Sequence, residues 1–237
     1  MKAKDMKEDE VGNALMSFGE RASAFLTANR SAVIAVAVGI VVLALGFNGF
    51  RWWQTSKALA AQSAYGEVAK RAEGLENPPA AEPGKEAKPV TTWAEVATDF
   101  QKVATDHAGT LPGELAAYQA GIAQLRAGDA AAAAATLTSF TDKNPKSWAA
   151  PHALAALATA RESTGDLAGA EAALIKLKDG DFPSYAPGLA IARLAEFHDR
   201  HDRGAEAQAL WTLLADDARF ADTAAQGQAK TMVSKPN

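Results

Sequence analysis

His198-Asp199-Arg200-His201 places two imidazoles three positions apart, a spacing that brings them to one helical face with Asp202 close by. Such a pair is half of a zinc site, and a metal-dependent enzyme is the chemistry it would imply, although a third ligand at a recognised spacing is missing. The alternative is a solvated helix end, where a histidine near the C-terminus also interacts favourably with the helix dipole. Asp216-Asp217 is an acidic pair, but acid–base work needs positioned partners, and none is visible. The chain has no cysteine, which excludes thiol nucleophiles, zinc ribbons, iron–sulfur clusters and disulfides. Gly109, Gly113, Gly121 and Gly128 are too scattered for a phosphate cradle, and no serine stands in a G-x-S-x-G setting. The reading is therefore a non-enzyme with no cofactor and no small-molecule substrate, in which binding replaces chemistry.

The elements that would position a binding surface begin with an apolar run. Ala32–Phe50 carries no charge over 19 residues, about 28 Å of helix at ~1.5 Å per residue, close to a hydrocarbon core of roughly 30 Å. Arg30 and Arg51 close its ends, and Trp52 and Trp53 stand where interfacial indoles are expected. The reading is an N-terminal tail over 1–30, a single-pass transmembrane signal anchor over 31–53 and an exit helix over 54–76. A cleaved signal peptide is the rival, with Ala58-Leu59-Ala60 as a small-x-small site, but the run is longer than about 15 residues and has a long segment before it. Lys and Arg are almost balanced across the run, so charge alone leaves orientation nearly tied. Ala35 and Gly39 are a small-xxx-small pair that could seat a partner helix, or simply common residues of such segments. A Pro-rich stretch over 77–90 then reads as a linker.

From residue 91 to 237 the sequence is helical with regular interruptions, and an all-α fold is expected: an N-terminal transmembrane helix followed by a stack of helical hairpins. Helices are predicted over 93–107, 113–127, 130–143, 149–164, 167–177, 185–200, 205–216 and 223–232. Gly128-Asp129, Gly165-Asp166 and Asp202-Arg203 recur 37 residues apart. Ala133, Ala170 and Ala207 follow them at a constant offset, and Gly121, Ala158 and Ala195 precede them. Small residues let two antiparallel helices approach, Gly ends the first helix and Asp caps the second. Leu137, Phe140, Leu174, Leu177, Trp211 and Leu214 would fill the space between hairpins. This register resembles tetratricopeptide repeats, with 116–145 the best unit. Bulky aromatics of that pattern are replaced by Ala117, Gln124 and Arg161. In such a stack the first helix of each hairpin lines a groove. By register the protein-binding candidates are Leu115, Tyr118, Ile122 and Arg126, then His152, Thr159 and Glu162, then Leu189, Glu196 and Asp199. Each is alternatively a stacking residue. Residues 91–237 hold 13 basic and 18 acidic side chains, which argues against nucleic-acid binding.

The order of tail, anchor, exit helix and repeats, the junction Gly49-Phe50-Arg51-Trp52-Trp53-Gln54, and Gly165-Asp166 followed by Ala170 together resemble the ancillary Sec-translocon subunit family. The resemblance implies a bacterial inner-membrane protein, with the N-terminus cytoplasmic and the repeats periplasmic. It also implies translocon subunits and periplasmic chaperones as partners. An envelope or cell-division scaffold, built on the same stack, is the other reading.

Overall fold

The computed structural model describes residues 28, 30–77 and 91–234. Nearly all of the N-terminal tail (1–30), nearly all of the Pro-rich linker (77–90) and the last three residues lie outside these. The chain divides into two units, Met1–Ser56 and Lys57–Asn237. Every element among the described residues is helical.

Helix α1 (Arg30–Glu76) begins in the first unit. It covers the described residues of the stretches read as anchor and exit helix. Along it, Thr55 turns its hydroxyl back to the carbonyl of Arg51 (2.9 Å), and Asn48 its amide to Ala44 (3.0 Å). Up to residue 56 its described side chains are exposed, among them Ile34, Val42, Leu43, Leu45, Phe47 and Phe50. Of the expected interface residues, Arg30, Arg51, Trp52 and Trp53 are all exposed. Arg51 lies 5.8 Å from the Phe47 ring, and Phe50 and Trp53 have ring centroids 6.1 Å apart. The side chains of 33, 36, 37, 41 and 54 lie outside the described residues, and among the described residues no helix is long and apolar enough to cross a membrane.

The second unit is a succession of antiparallel hairpins. The residues of α1 from Lys57 onward bury Ala61 and Val68 against α2 (Trp93–Asp106) and against Ala116, Ala120 and Ala123 of α3 (Leu111–Arg126). Thus the packed unit starts with the stretch read as an exit helix. Thr92 and Glu95 form a reciprocal capping box at the start of α2. The next hairpins are α3 with α4 (Ala130–Lys143), α5 (Ala150–Ser163) with α6 (Leu167–Asp179), and α7 (Pro187–Arg200) with α8 (Gly204–Asp216). A single 3₁₀ turn, Ala218–Phe220, leads to α9 (Ala224–Val233). Gln226 of α9 donates to the carbonyl of Ala215 at 3.0 Å, satisfying one of the groups that the end of α8 leaves open.

The 37-residue register survives in atomic detail. Gly128, Gly165 and Asp202 have φ of +84°, +81° and +57°. After each, the next amide returns to the carbonyl of an equivalent residue: Asp129 to Gln124 at 2.9 Å, Asp166 to Arg161 at 2.9 Å, Arg203 to His198 at 3.0 Å. Asp129 and Asp166 cap α4 and α6 by accepting from Ala132 and Gly169, whereas Arg203 supplies no side-chain cap. The hairpins close on methyl groups: Ala120, Ala133, Ala160, Ala170, Ala195 and Ala207 are fully buried. At Gly121 the approach is tighter still, since a Cβ there would lie 2.6 Å from Leu137. The residues expected between hairpins (Leu137, Phe140, Leu174, Leu177, Trp211 and Leu214) are all buried.

Candidate protein-interaction surface

The first helices of three successive hairpins, α3, α5 and α7, share a pocket of 280 Å³. Tyr118 and Leu125 come from α3, His152 and Thr159 from α5, Arg193 from α7 and Tyr185 from the loop before α7, over a floor of Ala155 and Ala156. Each wall is fixed by its own packing. The Tyr118 ring rests on Phe140 with centroids 5.9 Å apart, and its burial raises the phenol pKa above the ordinary value. His152 meets Trp148 edge-on at 6.2 Å and Tyr185 at 5.4 Å, so three rings run in series across the mouth of α5. Ser184 donates to the carbonyl of Trp148 at 3.2 Å, which ties the loop carrying Tyr185 to the start of α5. Tyr185 is 7% exposed, and its hydroxyl is buried without a hydrogen-bond partner. Arg193 is exposed and has no ion-pair partner among the described residues.

Of the groove candidates from the sequence, the pocket therefore unites Tyr118, His152 and Thr159. The others do not line it. Arg126 pairs with Glu76 and lies 4.6 Å over the Trp93 ring, so it holds α3 to the first hairpin. Glu162 accepts two bonds from Arg200, both 3.0 Å, and one from His201 at 2.9 Å; the Arg200 bonds hold its carboxyl below the usual range. Glu196 accepts from Gln228 at 2.8 Å, and Asp199 from the Trp211 indole at 2.8 Å. Leu115 and Ile122 are half-buried, and Leu189 is exposed outside the pocket. Tyr185 and Arg193 were not anticipated, because neither stands at a position that the 37-residue register marks.

The histidine pair also needs correction. His198 is not at a solvated helix end: it is 4% exposed, with Nε2 3.6 Å from Glu171. Burial, then the Arg203 charge, lowers its pKa. His201 turns instead to Glu162. The two imidazoles serve different carboxylates, and among the described residues no group of three His, Asp or Glu is placed to hold a metal. A larger pocket of 930 Å³ lies where α2, α3 and α4 meet. Three of its polar lining residues bond to local backbone carbonyls: Thr105 donates to that of Gln101, Thr110 to that of His107 and Asn144 to that of Phe140.

The family model for a tetratricopeptide repeat-like domain matches residues 23–186. The chain belongs to the tetratricopeptide repeat-like domain family. The matched residues run from ahead of the apolar segment of α1 to the loop before α7, so the last hairpin of this tetratricopeptide-like stack lies beyond them. No curated protein and no solved structure matches the chain. A tetratricopeptide-like stack is a protein-interaction scaffold, which agrees with a pocket formed by three first helices and lined by aromatic rings and a lone arginine.

Proposed function

We propose that this protein is a membrane-anchored interaction module, with residues 31–53 as a single-pass anchor and the repeats as its binding part. More finely, it is an ancillary subunit of the bacterial Sec translocon, its repeats facing the periplasm and passing translocated chains to periplasmic chaperones. The observation that carries the interaction reading is the pocket shared by α3, α5 and α7. What supports the anchor is the uncharged run itself, together with the exposed apolar side chains of α1, such as Leu43 at 74% and Leu45 at 68%. A continuous apolar surface of this kind is rarely left to water and marks a protein or lipid contact. Anchoring would raise the local concentration of a weakly binding groove beside its partner.

The experiment is crosslinking in intact membranes, mild solubilisation and mass spectrometry, with the full chain compared against one lacking residues 1–50. Recovery of translocon subunits and periplasmic chaperones by the full chain is expected. Loss of the translocon from the shortened chain would locate that contact in the anchor. Recovery of division or envelope-assembly proteins without the translocon overturns the translocon reading in favour of a scaffold.

A further inference from the structure

Ala117, Leu154 and Ile191 stand 37 residues apart, and so do Ala120, Leu157 and Leu194. In α5 and α7 both positions carry a large aliphatic side chain, and these are buried: Leu154 at 2%, Leu157 at 3%, Ile191 at 7% and Leu194 at 3%. The equivalent positions of α3 carry only methyl groups. There the fold leaves the 930 Å³ cleft where α2, α3 and α4 meet, with Ala117 and Ala120 on its lining. Two side chains of leucine size are thus missing from α3, and the walls do not make up for them, since α2 and α4 contribute Ala104, Ala108 and Ala135. Apolar walls without facing atoms forfeit their dispersion contacts, and a cleft of this volume is large enough to admit a ligand or a partner's side chains. The cleft shares no lining residue with the pocket of α3, α5 and α7, so it is a second surface of the stack.

The same cleft carries what would fill it. Leu111, at the start of α3, is the one large aliphatic side chain among its lining residues, and it is 58% exposed. Glu114 and Lys143 also line the cleft, and neither has an ion-pair partner among the described residues. A patch that lacks leucine volume, offers an exposed leucine and holds one unpaired charge of each sign is complementary to itself. We infer that the cleft is a two-fold contact with a second copy of this chain. Leu111 of each copy enters the cleft of the other, over Ala117 and Ala120, and Glu114 of each faces Lys143 of the other. In a two-fold interface every such contact is made twice, so both charges of each copy are paired. An apolar small molecule would fill the space but leave Leu111 in water and both charges unpaired. The pairing does not depend on the interaction function proposed above.

The test uses the full chain in a mild detergent at low salt, with energy transfer between donor- and acceptor-labelled copies followed on dilution. Wild-type copies are expected to associate as dimers. E114K and K143E alone are each expected to weaken the dimer about tenfold, because the repulsion is counted twice across the axis. An equimolar mixture of E114K with K143E is expected to recover the wild-type affinity, since every facing pair is again of opposite sign. A117L/A120L, which fills the cleft as α5 fills its own, is expected to abolish association without lowering the thermal midpoint. Should that variant fail to fold, L111A at an exposed site tests the same contact and is expected to weaken the dimer severalfold. A photo-crosslinker in place of Leu111, used in membranes holding light- and heavy-isotope copies, is expected to join position 111 of one copy to residues 101–144 of the other. A wild-type chain that stays monomeric, a dimer indifferent to both A117L/A120L and L111A, no recovery on mixing the charge variants, or crosslinks from position 111 only to a different protein each overturns the proposal. A dimer held by the apolar segment of α1 would show the second of these results.

Discussion

The hairpin α3–α4 and the hairpin α7–α8 make the same turn from different residues. In the first, Gly128 takes φ +84° and Asp129 caps α4. In the second, Asp202 takes φ +57° and Arg203 follows with no side-chain cap. Arg203 instead reaches Glu171 at 2.6 Å and Glu206 at 3.2 Å. The hairpin α5–α6 sides with the first, through Gly165 and Asp166. The polar residue whose carbonyl closes each turn changes as well. Gln124 is buried with its Oε1 unpartnered. Arg161 bonds to the carbonyl of Gly169 at 3.0 Å and to Thr138 at 3.3 Å, joining α5 to α6 and α4. His198 faces Glu171 across the α6–α7 contact. The backbone turn is thus fixed by the packing of two helices, while the side chains at it are free to turn local caps into ties between hairpins.

The strongest way to break this comparison is through the core behind each turn. Trp211→Ala in the last hairpin and Leu137→Ala in the first are expected to cost about 3–5 and 2–5 kcal/mol, read by urea unfolding of the full chain in detergent. Equal and negligible losses would mean that the turns hold the hairpins and the cores do not. Overpacking tests the close approach: Gly121→Ala puts a methyl 2.6 Å from Leu137 and is expected to cost about 1–3 kcal/mol, whereas Ala195→Gly at the matching site in the last hairpin costs about 1 kcal/mol.

At the turns themselves the signs should diverge. Gly165→Ala forces a methyl-bearing residue to φ +81° and is expected to destabilise by about 1–2 kcal/mol, while Asp202→Gly is expected to be neutral or to stabilise by a few tenths. A loss in both would show that the Asp202 side chain is needed. For the caps, Asp166→Ala is expected to cost about 1 kcal/mol, with a salt-dependent part because Asp166 also lies 3.8 Å from the Arg161 guanidinium. Arg203→Ala should have a smaller effect that fades as salt is raised, because it removes two ion pairs, a partly buried one with Glu171 and an exposed one with Glu206, and no cap.

The smallest effect is a pH dependence near neutrality that His198 gives to the last hairpin. Burial holds the His198 imidazole below its ordinary 6.5, so the unfolded chain takes up this proton more readily than the folded one. Its neutral form therefore supports the fold fully above about pH 6.5, and that support is withdrawn as the pH falls from there toward the folded value. His198→Gln should flatten the change in thermal midpoint between about pH 7 and about pH 5.5, a window set by histidine. Glu162 gives a separate loss below 4.5, because its carboxyl is held low by Arg200, and His198→Gln should leave that loss in place.

The periodic part of the molecule was legible. Spacing alone located the three turns, the alanines of the close contacts and the larger side chains between hairpins, because each depends on residues a fixed number of turns apart along one helix. What spacing could not convey was the reach of long polar side chains between hairpins. Glu162 finds Arg200 38 positions away, Arg126 finds Glu76 50 positions back, and neither pairing has a periodic signature. The pocket was half legible for the same reason. Tyr118, His152 and Thr159 stand on predicted first helices, whereas Tyr185 enters from a loop whose path depends on Ser184 meeting Trp148.

The alanine contacts between helices impose a constraint that is an inequality. At Ala120, Ala133, Ala170 and Ala207, each fully buried, a side chain larger than a methyl must displace close-packed neighbours, while Gly removes little volume. Substitution is thus bounded from above in size but hardly fixed in identity. A lineage carrying this stack could drift far in sequence while keeping its shape, and the positions that record its ancestry would be the left-handed turns, where the backbone itself selects the residue.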